Sequence, residues 1–297
     1  MDTLKKILIL ILGILFIKSY GYKTIYCNKV YIGKKTKIER SISSVNVFNE
    51  LSQKCTNSKM INQDNFSMNK SVPLKHNTAR VCVLMYHSIG YEKNNRLRIP
   101  QQEFKQQMKY IKDNGYNTLT LQELYNFFMQ NKPVPKKSVV ITFDDGYLDN
   151  YKYAYPVLKE LGLKATIFVI VDNIDKDNRS MNSKQLKELQ YNGIDIESHT
   201  FKHEELSSLS YEKQLTALKQ SKDTLEKILN KKVNFIAYPF GKYNENTIKA
   251  AKSAGYIMGF TTGGRIARRG DGIYTLHRIG MTSVDGINVL AGRLSNQ

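Results

Sequence analysis

The chain has 297 residues, 41% of them hydrophobic, with 45 Lys and Arg against 26 Asp and Glu for a net charge of +19. That length and apolar fraction allow one sizeable core, or one core with an extension, and exclude wholesale disorder. The charge favours an acidic partner such as an anionic cell envelope, a membrane surface or nucleic acid, without choosing among them.

Lys5 and Lys6 precede an apolar run from Ile7 to Ile17, which closes at Lys18. A positive start and a short apolar core are the layout of a secretory signal. The run is shorter than the roughly 20 residues that span a bilayer comfortably. No small-x-small cleavage site follows. Residues 1–19 are therefore expected to be a signal peptide or an N-terminal membrane anchor, and the protein to be exported, either held on the extracellular face or secreted. Residues 20–78, rich in Lys, Asn and Ser and without sustained periodicity, read as a polar, loosely ordered tether. Cys27, Cys55 and Cys82 fall in no metal-binding spacing, and Cys82 lies in an apolar run that predicts a core position.

From Ala79 the pattern changes. Val81 to Tyr86 is a strand candidate, and Gln101 to Asn114 carries Phe104, Met108 and Ile111 at helical spacing. A second helix is expected over 121–130. Ser138 to Phe143 is a β-branched strand running straight into Asp144-Asp145-Gly146. Helices follow at 151–161, 183–191, 211–229 and 245–254, alternating with strands at 165–171, 194–197, 235–238 and 257–261. Repeated strand–helix units over about 200 residues imply a parallel sheet, open or closed into a barrel. In such folds the carboxyl ends of the strands share one face. Asp144-Asp145, Ser198-His199, Pro239-Phe240-Gly241 and Leu276-His277-Arg278 all follow strand candidates, so they are expected to converge.

Two adjacent acids leaving an apolar strand are costly unless a metal, a base role or hydrogen bonds stabilise them. Their side chains diverge, so one can bind a cation while the other faces substrate. His199 and His203 are two of only five histidines. An i, i+4 pair on one helical turn can bring both imidazoles to one cation. Together they suggest a His₂Asp site with an open position, the arrangement of catalytic zinc.

These motifs resemble those of the polysaccharide deacetylases of carbohydrate esterase family 4, with the NodB-like homology domain, over about Ala79 to Asn288. Thr142 to Gly146 matches the TFDDG motif, His199 to His203 the HTxxH motif, and Tyr238-Pro239-Phe240-Gly241 the third motif. Leu276-His277-Arg278-Ile279 is similar to the last one. Met85-Tyr86-His87-Ser88 resembles the branch acting on poly-N-acetylglucosamine and related envelope glycans.

The resemblance implies a distorted (β/α) barrel and hydrolysis of acetyl groups from an N-acetylated glycan, exopolysaccharide or peptidoglycan. It makes Asp145, His199 and His203 the ligands of a divalent metal, Zn²⁺ first, with Co²⁺, Ni²⁺ or Fe²⁺ as rivals. Asp144 becomes the general base, and residues 238–241 contact substrate, the Phe240 N–H facing the oxyanion. His87 is the first choice of acid and His277 the rival. Many relatives carry an Arg two residues before the third motif's proline to orient the base; Ala237 stands there instead, and Arg278 is expected to take over from another strand. An O-acetyl esterase and an inactive wall-binding protein are the alternatives. Partners are the acetylated glycan and the cell wall or membrane surface; nucleic acid is disfavoured by the export signal.

Overall fold

The computed structural model describes residues 72–296. The expected leader (1–19), residues 20–71 of the expected tether, Cys27 and Cys55 all lie outside them. The first described element corrects the boundary expected at Ala79. Strand β1 (Leu74–Lys75) pairs antiparallel with β6 (Val134–Pro135), and Asn77 Nδ2 donates to Phe128 O at 3.3 Å. The residues just before Ala79 are therefore part of the folded unit. Their polar composition resembles a tether because a two-residue edge strand carries little periodicity.

The remaining strands are β2 (Cys82–Tyr86), β3 (Ser88–Ile89), β4 (Arg98–Ile99), β5 (Asn117–Thr118), β7 (Ser138–Phe143), β8 (Thr166–Val169), β9 (Asp195–Ser198), β10 (Phe235–Ala237), β11 (Met258–Phe260) and β12 (Ile279–Gly280). The helices are α1 (Gln101–Asp113), α2 (Leu121–Gln130), α3 (Tyr155–Leu161), α4 (Ser183–Tyr191), α5 (Tyr211–Leu229), α6 (Glu245–Ser253) and α7 (Ile287–Ser295). A π-helical turn, 150–154, leads into α3. The chemistry of the caps explains where helices start. Thr120 and Glu123 form a reciprocal capping box at α2, and Asn182 and Gln185 do so at α4. Gly162, in the left-handed conformation, ends α3 where the sequence placed the stop.

The main sheet is parallel, in the order β11-β10-β9-β8-β7-β2-β12, with β5 also pairing on β7. It curls until its edges meet. Phe260 on β11 bridges to Leu276, and three residues later Ile279 pairs with Leu84 of β2. One short segment thus touches both edges, giving the distorted barrel that the resemblance implies.

Both faces of the central strands β2, β7 and β8 are covered, so these strands read as near-continuous buried runs. All six residues of β7 are buried. Val139, Ile141 and Phe143 join the cluster under the outer helices, whereas Val140 belongs to an inner cluster with Val83, Phe168 and Phe260. Leu121, Leu124, Phe127 and Phe128 of α2 belong to that inner cluster. The carboxyl ends of β2, β7, β9 and β10 then place His87, Asp144, His199 and Tyr238 on one face.

Candidate active site

Asp145 lies just past the end of β7. Its φ of 72° is left-handed, and Gly146 follows at 76°. Gly146 has no alternative there: a Cβ would fall 2.9 Å from Val169 Cγ1. The turn aims the Asp145 carboxylate at two imidazoles. Asp145 Oδ1 is 3.5 Å from His199 Nε2 and 3.4 Å from His203 Nε2. It is buried and has no hydrogen-bond partner among the described residues.

The two histidines do not sit on a helical turn, as their spacing suggests. Residues 199–203 form a loop in which Thr200 and His203 have φ values of 66° and 60°. Two left-handed residues are needed to fold both rings toward Asp145, and such strain persists where the surroundings enforce it. His199 Nδ1 donates to Ala237 O at 2.8 Å, a carbonyl being able only to accept. That leaves the Nε2 lone pair directed at the cluster, as a metal ligand requires. Burial and the neighbouring His199 lower the pKa of His203, favouring the neutral imidazole. With metal–ligand bonds of about 2.0–2.2 Å, tetrahedral donors stand roughly 3.3–3.6 Å apart. The two distances from Asp145 fall in that range, and an orphaned buried carboxylate oxygen is what a cation would satisfy. The three residues fit a divalent ion.

Asp144 points the other way and is 2% exposed. The Arg278 guanidinium grips it with two parallel bonds, Nη1 to Oδ1 at 2.6 Å and Nη2 to Oδ2 at 2.7 Å. Burial alone would raise the Asp144 pKa, but Arg278, then His199 and His87, outweigh it and hold the carboxyl well below its ordinary range. Arg278 is itself wholly buried, bonded to Thr142 Oγ1 and Thr261 O and set over the Phe168 ring. Arg278, which immediately precedes β12, thus meets Asp144 at the end of β7.

The two candidate acids lie in different surroundings. Burial lowers the His87 pKa, while Asp144 and Asp145 pull it up. His277 is lowered by burial too, but the charges it feels are Asp271, Arg265 and Arg268. Its Nε2 is 2.7 Å from Arg265 Nη2, and its ring lies against Gly263, where a Cβ would fall 1.7 Å from Nδ1.

In residues 238–241 the side chains divide. Tyr238 is completely buried and Pro239 is buried, whereas Phe240 is 58% exposed and packs edge-on against His203 at 4.6 Å. Phe240 adopts φ 58°, and Gly241 follows at 67°, with Thr262 so close that a Cβ would sit 2.5 Å from its backbone nitrogen. Tyr147, whose hydroxyl interacts with Asp145, and Asp149 and Asn150, which bond the His87 segment, were not singled out by the sequence. Polar residues at a helix start are commonplace, and nothing in the local pattern marks these three.

The profile of the polysaccharide deacetylase family matches residues 131–259. The Bacillus subtilis protein YxkH, named for a polysaccharide deacetylase, is 46% identical over 68% of this chain and 71% of its own length. The chain belongs to the polysaccharide deacetylase family. This deacetylase is also 32% identical to the Staphylococcus aureus poly-β-1,6-N-acetyl-D-glucosamine N-deacetylase, over 55% of this chain and 60% of that one. Among solved structures, the Streptococcus pyogenes deacetylase PplD in complex with acetate superposes with a TM-score of 0.71 at 34% identity, covering 73% of this chain and 99% of PplD. IcaB from Ammonifex degensii gives 0.65 at 26% identity, covering 74% and 99%. The protein is thus a hydrolase of the type that acts on amide bonds, built on the NodB-like fold.

Proposed function

We propose that this deacetylase is an exported, divalent-metal-dependent enzyme that removes N-acetyl groups from N-acetylglucosamine polymers, an exopolysaccharide first and peptidoglycan second. One observation carries the reading: the buried Asp145 Oδ1, without a hydrogen-bond partner among the described residues, stands at metal-ligand spacing from two histidine nitrogens, beside an Asp144 clasped by Arg278. The staphylococcal relatives named for poly-β-1,6-N-acetylglucosamine support the choice of polymer. The lysine-flanked apolar start supports export, with 1–19 as leader or anchor and 20–71 as tether. The +19 charge suits an anionic wall or membrane surface.

Asp145, His199 and His203 would hold the ion, zinc first by its nitrogen and oxygen donors. When bound, such an ion acidifies a water and polarises the acetyl carbonyl. Asp144 accepts the proton of the attacking water. Arg278 keeps that carboxylate ionised and fixes its plane, so the base needs no reorganisation as it works. The backbone N–H of Phe240 donates to the oxygen on which charge develops. His87 then delivers a proton to the sugar nitrogen as the C–N bond breaks. The electron pair of that bond stays on nitrogen, and acetate and a free amine leave. His87 is favoured over His277 because it shares the field of Asp144 and Asp145, while His277 is engaged with Arg265.

Acetate release from N-acetylglucosamine oligomers and from peptidoglycan, with and without added zinc or cobalt, tests this. Metal-dependent release that Asp145→Asn and His199→Ala both lose is the expected result. Release that survives chelation and both substitutions would overturn it.

A further inference from the structure

The last bond of the β2–β7 ladder is from Asp144 N to Tyr86 O, at 2.9 Å. Beyond it the two chains leave the sheet, one carrying His87 and the other Asp144 and Asp145. Nothing in the sheet then fixes the distance between the proton donor and the centre it serves. The His87 ring is not held by a side-chain partner at Nδ1, which is buried and without one among the described residues. Its orientation depends on its backbone and packing.

Two residues on the Asp144–Asp145 chain reach back across this gap. Asn150 Nδ2 donates to His87 O at 2.8 Å and to Asp149 Oδ1 at 3.0 Å. Asp149 accepts from Ser88 Oγ at 2.5 Å and from Ile89 N at 3.0 Å. Every residue from His87 to Ile89 is thereby tied to the turn that follows the two acids. Asn150 is wholly buried, yet its Oδ1 has no partner among the described residues. Burying an amide with its acceptor unmet is costly, so its two donors must be what the position requires. It also opens the π-helical turn, a rare geometry that is frequent at functional sites.

We propose that Asp149 and Asn150 are positioning residues for proton delivery: they hold His87 at the distance from Asp144 and Asp145 that protonating the departing amine demands. This rests on the reading of His87 as the proton donor. A misplacement of about 1 Å at a reacting group can cost roughly 100-fold in rate. The loss is confined to substrates whose leaving group needs the proton. An amide nitrogen does; the phenolate of 4-nitrophenyl acetate departs without one.

The test compares the full chain with Asn150→Leu, Asp149→Asn and His87→Ala, each verified as folded by its melting curve, on N-acetylglucosamine oligomers and on 4-nitrophenyl acetate. Asn150→Leu is expected to lower kcat on the oligomers by about 10–100-fold, with KM changed less than about threefold and aryl ester hydrolysis within about threefold. Asp149→Asn is expected to shift in the same direction, and carries the test if the leucine variant does not fold. Equal losses on both substrates would mean a damaged centre and overturn the proposal, as would an unchanged oligomer rate. His87→Ala separates the two ideas. If it spares the oligomer rate or depresses both substrates equally, the proton-donor reading falls and this proposal with it. If it alone is oligomer-selective, only the positioning role falls.

Discussion

Arg278 and Asp144 form a pair with side chains 0% and 2% exposed, so neither charge has water to fall back on. Replacing Arg278 with Met preserves most of the buried stem volume and strands the Asp144 carboxylate in the core. Removing one partner of such a pair costs about 3–5 kcal/mol, chiefly because the remaining charge is buried without compensation. At roughly 2–4 °C per kcal/mol for a domain of this size, Tm should fall by roughly 6–20 °C. In an Asp144→Asn background there is no charge to strand, and the same Arg278→Met change should cost less than about 2 kcal/mol. The double-mutant cycle in urea, on chelated protein so that metal binding does not contribute, reads the coupling directly. Additive costs, or a single-variant cost under about 1 kcal/mol, would refute the account of Arg278 as the buried counter-charge of the base. The same single variant should lose about 10²–10⁴-fold in deacetylation, because a base free to rotate or protonate no longer meets the water.

Zinc at about 100 times its dissociation constant should stabilise the wild type by about 2.7 kcal/mol, seen as a raised Tm in a thermal melt. Asp145→Asn and His203→Ala should abolish that rise, and an undiminished rise in both would place the ion elsewhere. His87→Gln should lower oligomer deacetylation by about 10²–10⁴-fold while His277→Gln stays within about tenfold; the reverse order would move the acid to the last motif. Gly241→Ala should destabilise by more than about 1 kcal/mol in urea titration, since φ 67° and Thr262 both oppose a Cβ, and a neutral result would mean that the loop yields freely. Burial pushes the Cys82 thiol up to about 12, so near pH 9, where an exposed thiol would be largely thiolate, it stays protonated. Iodoacetamide should label Cys82 only after unfolding, as read by peptide mass mapping, and rapid native labelling would contradict its core position.

Much of the architecture was legible because its causes are local. The β-branched run of 138–143 and the helix end at Leu161 act over a few residues, and each matches an observed element. The chemistry-bearing types were also legible: acids and histidines directly after buried strands cost free energy unless something uses them. The departures share the opposite cause. Residues 199–203 form a loop rather than a helical turn because rings beyond the end of β9 must reach an acid beyond the end of β7, a demand absent from the local spacing. The start at β1 escaped notice because two residues carry no period.

The sequence by itself determined which residue types stand at the strand ends and the order in which the strands and helices follow. Only the tertiary structure decided what each of those residues meets. Arg278 finds Asp144 across 134 positions because the sheet curls until residues 276–280 join its two edges. The pairing of β2 with β7 puts His87 in the field of the two acids, while His277 lies against Arg265. Side-chain pairing across a closed sheet depends on how the strands are tilted and ordered, and those are collective properties of packing that no local stretch of the chain contains.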